Sequence, residues 1–414
     1  MDILLGRGFQ LTFQGVVAFP DEKVLNEVVT MRYVTANTTV PVPRIYHYGT
    51  AAENPTGLGP FIIMDYIEHH QNMSRALLDP QRPIDERPVL DPGIGQEKLE
   101  LLYGQMANIL LQLSSLSFPR IGALGQPHED GSVLVERRPL TPGMNELIVH
   151  TNMPKSILSD RTYNMAKEWY NALADMHIAQ LTLQYNDVAE DDDDFRDKYV
   201  ARKLFRRVVE EGNLFSDKRR PSGEFRLYSQ DLRPANVLLD ENLRVVGVID
   251  WEFAYAAPAE FTSDPPWWLL LLEPESWPGG YREWMKAYEP RFNTFIRVLE
   301  AEEAKMEMLY DGGTAAEPLS TSMRRSWAER DWMVSYAVRD SWAFDFIWWK
   351  FLDERYFGPN EDQDHRARLH LLTEAQKARL SELVAAKADE RADRGIFEWD
   401  EALAAARVQA MLEA

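Results

Sequence analysis

The sequence contains no cysteine, and this absence excludes disulfide bonds, thiolate metal sites and a cysteine nucleophile. It also lacks a long hydrophobic segment. Its most apolar run, residues 267–272, is far shorter than the roughly 20 residues that a membrane-spanning helix needs. The N-terminus has neither the basic start nor the sustained apolar stretch of a secretory signal peptide. We therefore expect a cytoplasmic protein that does not contact membranes.

Basic residues are scarce relative to acidic ones. The chain has 45 lysines and arginines against 66 aspartates and glutamates, which gives a formal net charge of -21. A surface this acidic repels phosphate backbones, so we expect no nucleic-acid partner. The length of 414 residues exceeds one ordinary core and indicates two or three domains, or two lobes around a cleft.

The start of the chain predicts a small sheet packed on one helix. Phe9, Leu11 and Phe13 alternate with polar residues and predict a strand. A helix with Asp21 as its cap should follow, and residues 61–64 should form a short buried strand. Strand, helix, strand and strand in this order would bury the helix against the sheet.

Beyond residue 66, helical patterns dominate. The acidic run 190–194 is expected to be a solvated loop that favours the N-terminus of the next helix, rather than a metal site. The many tryptophans are expected in the core. The predicted helical segments are residues 96–115, 161–183, 193–211 and 281–357, with exposed amphipathic helices over 374–414.

Residues 225–258 carry the chemistry. Asp231 is followed five residues later by Asn236, two apolar strands then flank a turn at residues 240–242, and the second strand ends on Asp250. This order predicts a hairpin with three oxygen-bearing side chains at one end. Each of them alone is more simply an ordinary turn residue at a strand end. The three together favour a functional site.

These residue types suit phosphoryl transfer. A carboxylate can orient an acceptor hydroxyl and accept its proton, while an amide and a second carboxylate can hold Mg²⁺ on nucleotide phosphates. Mg²⁺ prefers oxygen ligands and needs few from the protein. Arg233, two residues after Asp231, is expected to reach the transferring phosphate and offset its charge.

The segment 225–258 resembles the catalytic segment of the aminoglycoside phosphotransferase family. FPDEKVLNEVVTMRYV is similar to the family's first-lobe helix, and VPVPRIYHYG and LGPFIIMDYIE are similar to the strands before its hinge. The resemblance, closest to fungal members, runs over most of residues 8–358. It implies an α+β, protein-kinase-like fold with two lobes. Residues 1–68 would form a small, truncated N-lobe of a sheet and one helix, and residues 69–414 a large, mainly helical C-lobe with a C-terminal extension.

The resemblance also implies roles for individual residues. Asp231 would be the catalytic base, and Asn236 and Asp250 would be the Mg²⁺ ligands. Glu27 would be the helix carboxylate that pairs with a phosphate-binding cation, although its position alone suggests a surface helix residue. The hinge that presents backbone groups to adenine would consist of Met64, Asp65, Tyr66 and Ile67.

Two positions depart from the family's pattern. The loop of the family usually reads His-x-Asp, but Ser229 stands at the first position, which should weaken the bracing of the loop without removing the base. The cation that pairs with Glu27 should lie at or near Thr12, which carries no charge. Arg7 is out of register, and Lys23 lies on the helix itself, one turn before Glu27.

The front of the first lobe is expected to be missing. About ten residues precede the strand that should carry the cation, which is too few for two strands around a nucleotide-covering loop. We interpret Gly6 and Gly8 as a turn with no strand before it. Loss of one preorganised donor lowers the rate roughly 100- to 1000-fold, so we expect low activity.

The sequence therefore predicts an ATP- and Mg²⁺-dependent phosphotransferase that transfers the γ-phosphate to a hydroxyl of a small metabolite. The acidic second lobe would suit a cationic or polyhydroxylated acceptor. The alternative is a catalytically degenerate kinase-like protein that binds a ligand or partner. A genuine start at Met1 would favour this alternative, and an upstream extension would favour the enzyme. A helical scaffold unrelated to nucleotides is the third possibility.

Overall fold

The computed structural model describes residues 2–4, 9–13, 18–83, 86–126, 133–215, 225–309, 317–393, 395 and 397–414. The chain forms two compact units. The first contains residues 1–140 and 224–329, and the second contains residues 141–223 and 330–414. The predicted lobe boundary at residue 68 falls inside the first unit and stays a prediction.

The first unit begins with a four-stranded antiparallel sheet in the order β1-β2-β4-β3. Its strands are β1 (Asp2–Leu4), β2 (Phe9–Phe13), β3 (Ile45–Gly49) and β4 (Phe61–Asp65), with helix α1 (Pro20–Asn37) between β2 and β3. The predicted order of strand, helix, strand and strand is confirmed. The expectation that no strand precedes Gly6 is wrong, because β1 pairs with β2. The turn predicted at Gly6 and Gly8 lies outside the described residues.

Helix α1 starts differently from the prediction. Pro20 is its first residue and Phe19 its N-cap, without a side-chain cap. Proline is already fixed at a helical φ and has no N–H to satisfy, so the helix can begin there. Asp21 is therefore inside the first turn and not the cap. Its Oδ1 accepts a hydrogen bond from the backbone N of Ala51, 2.7 Å away.

The rest of the first unit contains three small antiparallel sheets. Their strand orders are β11-β10-β5, β12-β9-β6 and β7-β8. The strands are β5 (Gln71–Asn72), β6 (Ser117–Phe118), β7 (Ala123–Leu124), β8 (Val135–Arg137), β9 (Phe225–Ser229), β10 (Val237–Leu239), β11 (Val245–Val248) and β12 (Ala254–Pro258). The helices are α2 (Met73–Leu77), α3 (Gln96–Ser115), α7 (Ala259–Thr262), α8 (Gly280–Leu309) and α9 (Leu319–Glu329).

The core of this unit is built by α3 and α8, which pack against each other. Helix α3 has the predicted bounds, and its apolar positions, such as Leu102 and Met106, are fully buried. Trp284 of α8 is buried and stacks on Tyr288 with ring centroids 4.2 Å apart. These aromatic side chains are core residues, as predicted. The apolar run 267–272 forms a short 3₁₀ turn whose leucines are also buried.

The second unit consists of helices. They are α4 (Pro142–Thr151), α5 (Ala166–Leu183), α6 (Asp192–Glu211), α10 (Asp331–Arg339), α11 (Ser341–Ile347), α12 (Asp353–Phe357), α13 (Glu374–Asp393) and α14 (Glu401–Glu413). The acidic run acts at a helix start, as expected: Asp191 is the N-cap of α6 and accepts hydrogen bonds from the backbone N of Asp193 and Asp194 at 2.9 Å. Across the described residues, no helix combines the length and the apolar character needed to cross a membrane.

Candidate active site

The hairpin of β10 and β11 brings the predicted site residues together. Asp231 follows the end of β9, and a 3₁₀ turn leads from it to Asn236, directly before β10. Asp250 lies two residues after the end of β11. The backbone N of Ile249 donates to the carbonyl oxygen of Asn236 at 3.0 Å and closes the base of the hairpin. The two sides of the hairpin therefore end next to each other.

Asn236 lies between the two carboxylates. Its Nδ2 is 3.1 Å from Oδ2 of Asp231 and 3.5 Å from Oδ2 of Asp250. It also donates to the backbone carbonyl of Asp231 at 2.9 Å. The amide is buried and holds the loop after β9 against the loop after β11. The three oxygen-bearing side chains thus converge at one end of the hairpin, as the spacing predicted.

The segment after β11 has a special backbone conformation. Asp250 has a φ of 67°, in the left-handed region that aspartate tolerates better than most residues. The next residue, Trp251, is buried, and its indole Nε1 donates to the carbonyl of Val248 at 3.0 Å. Its backbone N points to Oε1 of Glu27 at 3.4 Å. Glu27 therefore contacts the segment that carries Asp250.

Sequence reasoning missed the pairing of Lys23 with Glu252. Lys23 on α1 is buried, and its Nζ lies 2.7 Å from Oε1 of Glu252 and 4.7 Å from the ring centroid of Phe253. The position of Lys23 one turn before Glu27 was visible in the sequence. The sequence also showed its partner, the acidic residue Glu252, two positions after Asp250.

The site places several acidic groups close together with two cations. We call the following six residues the carboxylate cluster: Lys23, Glu27, Asp231, Arg233, Asp250 and Glu252. Burial, together with the charges of Glu252 and Asp231, raises the pKa of Asp250 to about 7. Burial, together with Asp250 and Glu252, raises the pKa of Glu27 to about 8. Burial also raises the pKa of Asp231, against the opposing effect of Arg233. The cluster has more acidic groups than its cations can neutralise.

Arg233 lies next to Asp231, the predicted general base. Its Nε is 2.9 Å from Oδ1 of Asp231, and its side chain is 42% exposed. With Nε at this carboxylate, Arg233 can offer a phosphate its remaining N–H groups, as the sequence predicted. Its role at a phosphate stays a prediction.

The four predicted hinge residues span the end of β4 and the segment after it. The backbone N of Asp65 donates to the carbonyl of Arg44 at 2.9 Å, and Nδ1 of His69 lies 2.8 Å from the carbonyl oxygen of Ile67. Met64 and Asp65 also pair with Gln10 and Phe9 of β2, so a nucleotide base would be left mainly with backbone groups of Tyr66 and Ile67. A Cβ at Gly247 of β11 would lie 3.2 Å from Cγ2 of Ile67, so glycine lets the hinge segment approach the hairpin.

The two positions that depart from the family's pattern lie in strands. Ser229 is the buried last residue of β9, where it pairs with Ala254, and its carbonyl accepts from the backbone N of Leu232 at 3.3 Å. Thr12 lies in β2 opposite Ile62 of β4. Neither Lys nor Arg occurs in the sequence of β2.

The donor set can accommodate a hard divalent cation. Asp250 offers carboxylate oxygens, whereas Asn236, whose Nδ2 faces both carboxylates, would have to rotate its amide to add Oδ1. A cation there would offset the charges of Glu252 and Asp231, which add to the effect of burial in raising the pKa of Asp250. Within the part of the chain that the structure describes, no three histidine or acidic side chains are arranged to enclose a metal ion. A divalent cation would thus take its other ligands from phosphate oxygens and water, as Mg²⁺ commonly does.

Comparison with known proteins assigns the family. The sequence profile of the phosphotransferase enzyme family (APH) matches residues 17–294, about two thirds of the chain. The chain belongs to this family. The resemblance inferred from residues 225–258 is confirmed, and with it the α+β, protein-kinase-like fold. Family membership supports a small-molecule phosphotransferase.

Individual relatives are distant. A structure of a macrolide 2'-phosphotransferase type I is 14% identical, with a TM-score of 0.39, and the match covers 89% of this chain and 84% of that one. The gentamicin complex of APH(2")-IIa is 10% identical, with a TM-score of 0.41, over 87% and 89% of the two chains. A glucosamine kinase is 13% identical, with a TM-score of 0.39, over 86% and 76%. No protein of curated function matches this sequence.

Proposed function

We propose that this family member transfers the γ-phosphate of ATP, with Mg²⁺, to a hydroxyl group of a small molecule. The observation that carries the proposal is the contact of Asn236 Nδ2 with both Asp231 and Asp250. The contact supports the proposal because it holds a carboxylate suited to a base next to a second carboxylate suited to a metal ion. Phosphoryl transfer depends mainly on such positioning and on electrostatic stabilisation.

Each residue has a distinct task in this proposal. Asp231 orients the acceptor hydroxyl and accepts its proton, and its raised pKa brings its basicity closer to neutral pH. Asn236 and Asp250 hold Mg²⁺, which when bound neutralises charge on the nucleotide phosphates. Arg233 keeps Asp231 in place until a phosphate competes for the guanidinium. The residues Met64 to Ile67 hold the adenine.

For Glu27 we propose a different task from the one that the resemblance implied. Instead of pairing with a phosphate-binding cation, it accepts from the backbone N of Trp251 and steadies the turn at Asp250. We therefore propose that Glu27 is a positioning residue for the metal ligand. Its burial and raised pKa suit this task, because a protonated carboxyl adds no further negative charge beside Asp250.

The acceptor is proposed only by class. Small molecules with hydroxyl groups suit the base, and the acidic surface of the chain favours neutral or cationic acceptors over anionic ones. The solved relatives include a phosphotransferase in complex with gentamicin and a glucosamine kinase in complex with glucosamine.

The test is a transfer assay with ATP, Mg²⁺ and a panel of hydroxyl-bearing small molecules, read out as ADP release and as phosphorylated product by mass spectrometry. We expect product from at least one acceptor and roughly 10²- to 10⁴-fold slower product formation by the Asp231→Ala variant. If wild type and variant release equal ADP with every acceptor, the proposed transfer is contradicted.

A second candidate is a nucleotide-binding protein without turnover. The observation in its favour is that the sequence of β2 carries no Lys or Arg. Magnesium-dependent ATP binding with no product from any acceptor would support this candidate over the enzyme.

A further inference from the structure

Both cations of the carboxylate cluster are bound by carboxylates other than Asp250. Nζ of Lys23 lies 2.7 Å from Oε1 of Glu252, and Nε of Arg233 lies 2.9 Å from Oδ1 of Asp231. Among the residues that the structure describes, no lysine, arginine or histidine forms an ion pair with Asp250. The carboxylate that we propose as a Mg²⁺ ligand is thus the one that no cation of the protein occupies.

The segment after Asp250 holds Lys23 at Glu252. The lysine is 4% exposed and the glutamate 16%, so water screens this pair only weakly. Nζ of Lys23 also lies 4.7 Å from the ring centroid of Phe253, whose face attracts a positive charge. Phe253 is itself fixed, because its carbonyl accepts from the backbone N of Gln230 at 3.3 Å. The lysine is therefore held at a residue only two positions from Asp250.

The charge of Lys23 nevertheless reaches Asp250. Burial, followed by the charge of Glu252, raises the pKa of Asp250 to about 7, and Lys23 opposes this rise. Lys23 also opposes the rise in the pKa of Glu27, but Glu27 already accepts from the backbone N of Trp251 at 3.4 Å. A lysine released from Glu252 would therefore turn to Asp250.

An ammonium group at Asp250 would compete with a metal ion. Lys23 and Mg²⁺ would both bind the oxygens of this one carboxylate, and the site has few other protein ligands to offer the metal. The lysine is tethered to α1, so its effective concentration at the site is high whatever the concentration of Mg²⁺. Binding of Mg²⁺ at Asp250 therefore requires another partner for Lys23.

We propose that Glu252 is a positioning residue that holds Lys23 away from Asp250 and so keeps the carboxylate of Asp250 open to Mg²⁺. Glu252 acts through the lysine and does not bind the metal itself. This inference rests on the proposed function, because it takes Asp250 as the Mg²⁺ ligand at the nucleotide phosphates.

Calorimetry of ATP binding, in Mg²⁺ and then in EDTA, tests the proposal. The quantity compared is the Mg²⁺ gain, the ratio of the dissociation constant in EDTA to that in Mg²⁺. We expect Glu252→Ala to lower the Mg²⁺ gain about tenfold, the low end of the coupling between close charge pairs. In Lys23→Met/Glu252→Ala no lysine is left to compete, and the Mg²⁺ gain should return to the wild-type value.

Glu22→Ala is the matched control. Glu22 directly precedes Lys23 on α1, and its carboxylate accepts from Nε and Nη2 of Arg138 at 2.9 and 2.8 Å. Its side chain is 22% exposed, close to the value for Glu252. The variant therefore removes the same charge and breaks an ion pair of the same helix without releasing Lys23. It should keep the wild-type Mg²⁺ gain. A loss equal to that of Glu252→Ala would overturn the proposal.

Glu252→Ala leaves a buried lysine without its partner and could fold poorly. Its melting temperature and its ATP binding in EDTA are therefore measured alongside. Glu252→Gln, which keeps the shape of the side chain, gives a second reading and should show a smaller loss in the same direction. A folded Glu252 variant with the full wild-type gain would overturn the proposal.

Two further outcomes separate this inference from the proposed function. A double variant with as little Mg²⁺ gain as Glu252→Ala would mean that Glu252 contacts the metal itself, and it would overturn the role proposed for Lys23 while leaving the metal site in place. ATP binding by the wild-type chain that does not depend on Mg²⁺ would overturn the proposed function, and this inference with it.

Discussion

Nζ of Lys23 lies 2.7 Å from Oε1 of Glu252 and joins α1 to the segment that carries Asp250. The lysine is almost fully buried, with a side-chain exposure of 4%. The sequence of β2 provides no Lys or Arg, so helix α1 itself supplies a positive charge beside the carboxylates. The family's pattern led us to expect a cation on the strand, whereas the positive charge described here comes from α1, one turn before Glu27.

The ion pair of Lys23 and Glu252 should be important for stability. In Lys23→Met, Glu252 would remain next to Asp250 without its cation, and we expect the free energy of unfolding to fall by about 3 kcal/mol. The double variant Lys23→Met/Glu252→Gln removes both charges and should recover most of this loss. Urea unfolding of the two variants and the wild type measures both effects. A double variant as unstable as the single one would mean that packing of the lysine, and not its charge, is what matters.

Asp231 should be needed for turnover but not for nucleotide binding. Removing a general base typically lowers a rate by about 10²- to 10⁴-fold, and we expect a loss of this size in kcat for Asp231→Asn. Asp240→Asn is the matched control, since it makes the same change at the opposite end of the same hairpin. There Oδ1 accepts from the backbone N of Asn242 and Arg244 at 2.8 Å, and an asparagine can keep both bonds. Equal rates for the two variants would remove Asp231 from the chemistry.

His177 should make the second unit sensitive to acid. Burial, assisted by the charge of Arg202, lowers the pKa of His177 to about 3, from an ordinary value of 6.5. Between these two values the unfolded chain binds a proton that the folded chain does not. This group's contribution to stability is therefore fully present above pH 6.5 and is lost as the pH falls towards 3, by about 1.4 kcal/mol per pH unit.

The variant His177→Gln isolates this effect. The amide of glutamine can still donate to the carbonyl of Val338, which lies 3.2 Å from Nε2 of His177, but it does not titrate. The difference in free energy of unfolding between wild type and variant should therefore change with pH below 6.5 and be constant above it. A difference that does not vary between pH 4 and 7 would contradict the assignment.

The hairpin of β10 and β11 was predictable because its signal is local. Asp231, Asn236 and Asp250 lie within twenty residues of sequence, and the two apolar runs between them allow one hairpin register with these side chains at its end. Helix α3 was predictable because its apolar spacing is regular and both its ends coincide with breaks in that spacing. Family membership confirms the fold, and the roles of the three residues stay predictions.

The parts that were missed depend on contacts of single side chains, which apolar spacing does not show. Lys23 and Glu252 are far apart in sequence and meet only because α1 packs next to β12. Helix α5 was expected from residue 161 but begins at Ala166, because Tyr163 is buried against Trp169 and the carboxylate of Glu168 accepts from the backbone N of Asn164. The contacts at the start of α5 span only four and six residues, but the apolar spacing that predicted the helix does not show them.

Calorimetric titration with ATP, in the presence of Mg²⁺ and then of EDTA, tests the central claim most directly. Asp250→Asn is the variant to compare, because asparagine also tolerates the φ of 67° and the backbone should be retained. We predict that Mg²⁺ tightens ATP binding to the wild-type chain and that this gain is lost in the variant, while binding in EDTA is similar for both. Wild-type protein that binds no ATP, or a variant with the same dependence on Mg²⁺ as the wild type, would contradict the proposed site.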